Sequence, residues 1–160
     1  MQVDLNRYDP SKHVRYRALS VKQPYAQLLI EGSKYIEVRS RNTTYRGDLL
    51  LCSSRKPEFP GMMSGVTLGF IELYDTKPVA EFTEDDWEHT RVPRDMWGKF
   101  EGGYGWLMRN PRRVIEIPVK GMLGIYTAVF EKGDIVEYPT AMTIDKKGWD
   151  YIKKQLKHTK

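Results

Sequence analysis

The sequence predicts an α+β domain: a small mixed β-barrel with short flanking helices and a C-terminal helix. Three observations carry that reading. Short apolar or alternating segments recur along the first 130 residues, separated by Gly, Pro and Asn turns. Helical signals are confined to two or three brief stretches. The 160 residues show neither a Ser/Gly/Pro-rich linker nor an internal repeat, which places one core in one domain. The expected organisation is an N-terminal extension over 1–15, the barrel domain over 16–130, and a C-terminal helical extension over 131–160, packed on the domain.

Each element has its own local reason. Tyr16 to Val21 reads as the first strand. Pro24 suits the first turn of a helix, Tyr25, Leu28 and Leu29 share one helical face, and Gly32 supplies the stop. From Tyr35 to Arg39 the chain alternates, Ile36 and Val38 against Tyr35, Glu37 and Arg39. A turn at Arg46-Gly47-Asp48 precedes Leu49-Leu50-Leu51-Cys52, an uninterrupted apolar run that predicts a strand covered on both faces. Pro57 to Gly65 is loop by composition, and Val66 to Tyr74 is expected as the central strand. Thr83 followed by Glu84, Asp85 and Asp86 opens a short helix, a hydroxyl cap with acids at the positive end of the dipole. After an irregular glycine-rich stretch from Pro93 to Gly105, strands are expected over Trp106–Arg109 and Val114–Val119, divided by Asn110-Pro111. Gly121 to Tyr126 reads as a turn and short strand. From Asp145 to about Leu156, Trp149, Ile152 and Leu156 form an apolar helical stripe opposite lysines.

Composition narrows the function classes. Hydrophobic residues make up 40% and charged residues 29%, an ordinary globular balance. No apolar run approaches the roughly 18 residues that a membrane span requires, and the first sixteen residues lack a signal-like apolar stretch, so no membrane partner is expected. The lone Cys52 excludes an intramolecular disulfide and points to a reducing, cytoplasmic setting. His13, His89 and His158 lack metal-ligand spacing, so neither a metal nor another cofactor is expected.

The net charge of +5 favours an anionic partner. Basic residues concentrate in the first third (among them Lys22, Lys34, Arg39, Arg46 and Arg55) and in the tail, where Lys153 and Lys154 read first as a plain solvated helix face. Between these regions Glu81, Glu84, Asp85, Asp86 and Glu88 form an acidic patch.

Lys34, Glu37 and Arg39 bring a cation, an anion and a forked cation together over six residues. Arginine grips phosphate or carboxylate bidentately, whereas lysine is a point charge whose pKa falls on desolvation. The bland alternative is an intrasheet Glu37–Arg39 ion pair of little worth. Glu72, by strict alternation, shares a face with Val66, Leu68 and Phe70, so its carboxylate needs a partner, and Lys34 is the expected one.

Three linked motifs carry a family resemblance. Ala18-Leu19-Ser20-Val21-Lys22-Gln23-Pro24-Tyr25-Ala26, then Gly32-Ser33-Lys34-Tyr35-Ile36-Glu37-Val38-Arg39 (G-x-K-x-x-E-x-R), then Tyr45-Arg46-Gly47, resemble the ASCH domain of the PUA-like superfamily. Gly69-Phe70-Ile71-Glu72-Leu73, Gly105-Trp106-Leu107 and Gly121-Met122-Leu123-Gly124 fall where that family has its later strands. The resemblance covers about residues 16 to 130 and implies a PUA-like β-barrel with a cleft beside the G-x-K-x-x-E-x-R strand. Some small members are amidohydrolases that remove the acetyl group from acetylcytidine. Lys34 and Glu72 match two of their three catalytic positions, and Glu37 stands where they carry a nucleophilic threonine. Other members are RNA-binding proteins or ribonucleases.

Two functions are therefore expected in competition. The first is a module that holds RNA, another single-stranded nucleic acid or a nucleoside-like ligand through Gln23, Tyr25, Lys34, Glu37, Arg39, Arg46 and Trp106, with aromatic faces available to stack bases. The second is a hydrolase, amidohydrolase-like or ribonuclease-like, with Lys34 and Glu72 as its catalytic pair and Glu37 activating water. Binding ranks first, because the threonine is missing; Ser20, Ser53, Thr43 and Thr44 are nucleophile candidates only where the fold brings one beside Lys34.

Overall fold

Apolar alternation is realised as seven strands in the computed structural model, which describes residues 1–138 and 154: β1 (Gln2–Val3), β2 (His13–Val21), β3 (Ile36–Arg39), β4 (Gly47–Ser53), β5 (Thr67–Pro78), β6 (Tyr104–Arg113) and β7 (Ile125–Glu131). They form one mixed sheet of order β1-β7-β2-β4-β5-β6-β3. β2 and β4 run parallel, and every other pairing is antiparallel. β4 is the central strand, with β5 beside it. Two helices accompany the sheet among the described residues, α1 (Tyr25–Glu31) and α2 (Glu84–Glu88), together with three short 3-10 turns.

The sheet centre is covered on both faces, as the run Leu49–Cys52 requires. Leu19, Val21, Leu49 and Leu51 pack in one cluster beneath α1, while Ala18, Leu50 and Cys52 pack in a second with Val114, Tyr126 and Phe130. α1 begins after Pro24 and stops at Gly32, whose φ of 84° lies in the left-handed region. Its buried face is Ala26, Leu29 and Ile30 rather than Tyr25, Leu28 and Leu29. α2 carries a full capping box: the Thr83 hydroxyl accepts from the Asp86 amide, and the Asp86 carboxylate accepts from the Thr83 amide.

Three expectations are corrected. No ladder joins β1 to β3 among the described residues, so the sheet is open and not a closed barrel. Its edges are β1 and β3, strands of two and four residues, each paired on one side only. β6 passes through Asn110-Pro111 instead of breaking there, because those two residues bulge opposite Ile71, with Asn110 at φ 56°. Val114–Val119 forms no strand; it makes isolated bridges outside the sheet, Val66–Pro118 and Val114–Glu137, and meets β5 where the Val114 amide donates to the Leu68 carbonyl and the Thr67 amide to the Ile117 carbonyl. The sheet also takes in Gln2–Val3 and begins β2 at His13, within the segment read as an extension. Apart from Lys154, the expected C-terminal helix lies outside the described residues.

The core also contains a titratable group with a readable consequence. Burial pushes the Cys52 thiol from 9.0 up to about 12, and burial likewise raises the neighbouring Tyr126 hydroxyl. The unfolded thiol ionises near its ordinary value while the folded one keeps its proton. This stabilisation is complete below pH 9 and is lost as pH rises towards the folded value. Lys34, lowered chiefly by burial, works in the opposite sense up to 10.5, so the clean comparison is with a variant lacking the thiol. In denaturant titrations, wild type is expected to lose about 1 kcal/mol more than Cys52→Ala between pH 9 and pH 10. Parallel losses in the two proteins would contradict the assignment to Cys52.

Candidate functional site

The parallel strands β2 and β4 end side by side, and a cleft of about 1330 Å³ opens where they stop. Ser20, Val21 and Lys22 line it from the end of β2, and Ser53, Ser54 and Arg55 from the end of β4. A parallel pair directs both carboxyl ends to one side, which is where ligand crevices form in sheets with such connections. The turn after α1 and strand β3 contribute Lys34, Glu37 and Arg39 to another wall. The 3-10 segment Arg94–Phe100 and the loop around Lys120 close the remainder.

Lys34 is the most deeply buried charge among the described residues. Only 1% of it is exposed. Its ammonium donates to the carbonyls of Ile36 at 2.8 Å and Thr90 at 2.6 Å, and lies 3.4 Å from Glu37 Oε1. These three acceptors match the three protons of an ammonium. The Tyr25 ring centroid is 5.1 Å away, adding a cation–π contact. Desolvation lowers the Lys34 pKa, and the adjacent Glu37 carboxylate partly offsets that. Glu37, 8% exposed, shares its other oxygen with the Arg39 guanidinium at 3.1 Å. Arg39 in turn lies 5.5 Å over the Trp106 ring, whose indole N–H donates to the Arg41 carbonyl. The result is a Lys–Glu–Arg chain, buried at Lys34 and Glu37 and half-buried at Arg39, with one excess positive charge at the cleft wall.

The family model for the ASCH domain matches residues 19–138. The chain belongs to the ASCH domain family. Activating signal cointegrator 1 of Homo sapiens is 30% identical over 126 residues, covering 64% of this chain and 20% of that protein. Its counterpart in Mus musculus is 29% identical over the same length. The ASCH chain thus spans about a fifth of the curated relatives it matches. Among solved structures, ASCH from Zymomonas mobilis superposes with a TM-score of 0.53 at 15% identity, covering 64% of this chain and 72% of that one. A serine-to-alanine variant of the same protein gives 0.54 at 12% identity, covering 87% and 94%. At these identities the structures establish a shared fold, the mixed sheet with few helices described above.

Within this ASCH domain the sequence-derived residues separate into two groups. Tyr25, Lys34, Glu37 and Arg39 line the cleft together, as their local spacing implies. Gln23 lies behind it: its amide donates to the Met63 carbonyl and accepts from the Gln27 amide, tying the 57–65 loop to α1. Trp106 is buried beneath Arg39. Arg46 does not line the cleft; it faces Asp75 at 3.7 Å and donates to the Thr43 and Tyr45 carbonyls. Glu72 also lies away from it, bound by Arg109 at 2.8 and 3.0 Å and not by Lys34. The cause is a bulge: β5 places Leu68 as an extra residue between the partners of Leu51 and Cys52, which inverts strand parity. Leu68 therefore packs with Ile71 and Leu73, while Glu72 follows Phe70 onto the opposite face.

Other lining residues carried no individual signal. Lys99 and Lys120 arrive from loops distant in sequence, and the Thr90 carbonyl that holds Lys34 belongs to the turn after α2. Ser20 and Ser53 line the cleft, whereas Thr43 and Thr44 do not. Neither serine hydroxyl bonds the Lys34 amine: Ser20 pairs with Tyr126 at 2.8 Å, and Ser53 bonds Val66. No group of three or more His, Cys, Asp or Glu side chains among the described residues is placed to hold a metal ion. No helix among them is long and apolar enough to cross a membrane.

Proposed function

We propose that this ASCH domain binds RNA or another single-stranded nucleic acid in the cleft, with phosphates on its cationic walls and a base, ordinary or modified, against Tyr25. One observation carries this reading. Lys22, Lys34, Arg39, Arg55, Lys99 and Lys120 line the cleft, against the single carboxylate of Glu37. Glu37 is already engaged by Lys34 and Arg39, so the remaining cations present an uncompensated field to a ligand. The lone, buried Cys52 is compatible with a reducing compartment, and a cytoplasmic setting is part of the proposal.

The test is the salt dependence of binding to a fluorescent single-stranded RNA. With about four or five phosphate contacts at a slope near 0.7 each, a fourfold rise in salt weakens binding by about 50- to 130-fold. Arg39→Gln is expected to weaken binding several-fold and flatten the slope. Arg46→Gln, outside the cleft, is expected to change affinity less than twofold. Equal losses in the two variants would indicate a diffuse basic surface, and no binding at low salt would remove the proposal.

A second reading, hydrolysis of a nucleoside or RNA, draws on the desolvated Lys34 amine and on Ser20 and Ser53 in the same cleft. It assigns Lys34, Glu37 and one serine to the chemistry, because Glu72 is engaged elsewhere by Arg109. Acetate release from acetylcytidine, or cleavage of the RNA, would then be lost in Lys34→Ala and in the responsible serine-to-alanine variant. Wild-type protein inactive in both assays would dismiss it.

A further inference from the structure

One wall of the cleft ends in a feature that charge alone does not explain. The loop Lys120-Gly121-Met122-Leu123 lines the cleft, yet Met122 is 66% and Leu123 98% exposed. Two adjacent large apolar side chains project from a cationic rim, with no packing partner among the described residues. The root of the loop, by contrast, is held. The Gln2 side chain accepts from the Lys120 amide at 2.6 Å and donates to the Lys120 carbonyl at 3.3 Å, so β1 clamps the backbone just before the tip. Gly121 presses on β2 so closely that a Cβ there would lie 2.5 Å from Ser20 Oγ. Gly124, at φ 65°, turns the chain back into β7. The construction is a fixed stem carrying an apolar point.

We propose that Met122 and Leu123 form a wedge that inserts between neighbouring bases of a single-stranded ligand and directs the unstacked base into the cleft. The inference rests on the nucleic-acid reading above and adds the element that presents the base. Charge complementarity identifies the occupant: a ligand offering anionic groups to Lys22, Arg55, Lys99 and Lys120 and flat apolar surfaces to the tip is a polynucleotide strand. Leu and Met are among the side chains that separate base steps, and a wedge works only on a root that does not yield. Lys120, at the root, is placed to hold a phosphate beside the step that the tip opens.

The experiment uses a single-stranded RNA of about ten nucleotides with 2-aminopurine at successive positions. Unstacking of that base raises its fluorescence. Wild type is expected to enhance emission strongly at one position. Met122→Ala/Leu123→Ala is expected to abolish the enhancement and to weaken binding about tenfold, leaving the salt slope unchanged. Both side chains are exposed, so the variant folds as wild type does, which its thermal transition verifies. Undiminished enhancement and affinity in the double variant would overturn the wedge while leaving cleft binding intact. Failure of wild type to bind RNA at low salt would overturn both readings. A third arm, cosedimentation with phosphatidylserine vesicles, separates a different use of the tip: vesicle binding lost in the double variant, with RNA binding unaffected, would assign the tip to a lipid surface and overturn the wedge.

Discussion

Lys34→Ala is expected to lower unfolding free energy by about 3 kcal/mol, the largest loss from any single cleft residue. The ammonium satisfies two backbone carbonyls and one oxygen of Glu37 in a site sealed from water. Truncation leaves all three acceptors without that donor, and an unmatched buried acceptor bears its full desolvation cost. Breaking a buried pair costs about 3–5 kcal/mol, and the lower end applies because Arg39 still holds Glu37. Lys34→Met/Glu37→Gln should recover part of the loss, since no charge is then buried alone. Urea midpoints for wild type and both variants decide it. A cost below about 1 kcal/mol for Lys34→Ala would mean that the amine is not an anchor of the β3 wall.

Gly69→Ala is expected to cost a comparable amount, at the upper end of overpacking, about 3 kcal/mol. A Cβ at this position would lie 2.2 Å from the Arg112 backbone oxygen and 2.3 Å from Ile30 Cδ1. The Arg112 oxygen is backbone and cannot turn aside, whereas Ile30 Cδ1 is a side-chain end. The Arg112 carbonyl belongs to the β5–β6 ladder, where Gly69 pairs with Arg113, and Ile30 lies on the buried face of α1. Relief at Ile30 requires repacking a buried side chain, and relief at Arg112 requires shifting the strand. Gly98→Ala is the control: no atom lies within 4 Å of its Cβ position, and a surface change of that kind stays within about 0.5 kcal/mol. Equal thermal midpoints for the two variants would contradict the close approach of α1, β5 and β6.

The consequence for function is that fold and cleft share their most sensitive residues. Lys34 joins the carbonyl of Thr90, after α2, to that of Ile36 in β3, so a Lys34 variant is interpretable in a binding assay only beside its stability. Arg39, Lys120, Met122 and Leu123 carry no comparable burden, and substitutions there report on the ligand.

What the sequence determined alone is whatever depends on near neighbours in the chain. Pro24 and Gly32 bound α1, Thr83 with Asp86 builds the cap of α2, and the unbroken Leu49–Cys52 run foretells a strand covered on both faces. The convergence of Lys34, Glu37 and Arg39 is legible for the same reason, since spacings of three and two residues suffice to make the contacts. Tertiary structure alone decided where Glu72 and Arg46 face, that the sheet stays open, and that Lys99 and Lys120 meet Lys22 and Arg55 across one cleft. A single extra residue at Leu68 reverses which side chains share a face, and whether a strand accommodates that residue depends on its partner's register. Loop cations converge only after strands far apart in sequence have paired, and no local pattern encodes such a pairing.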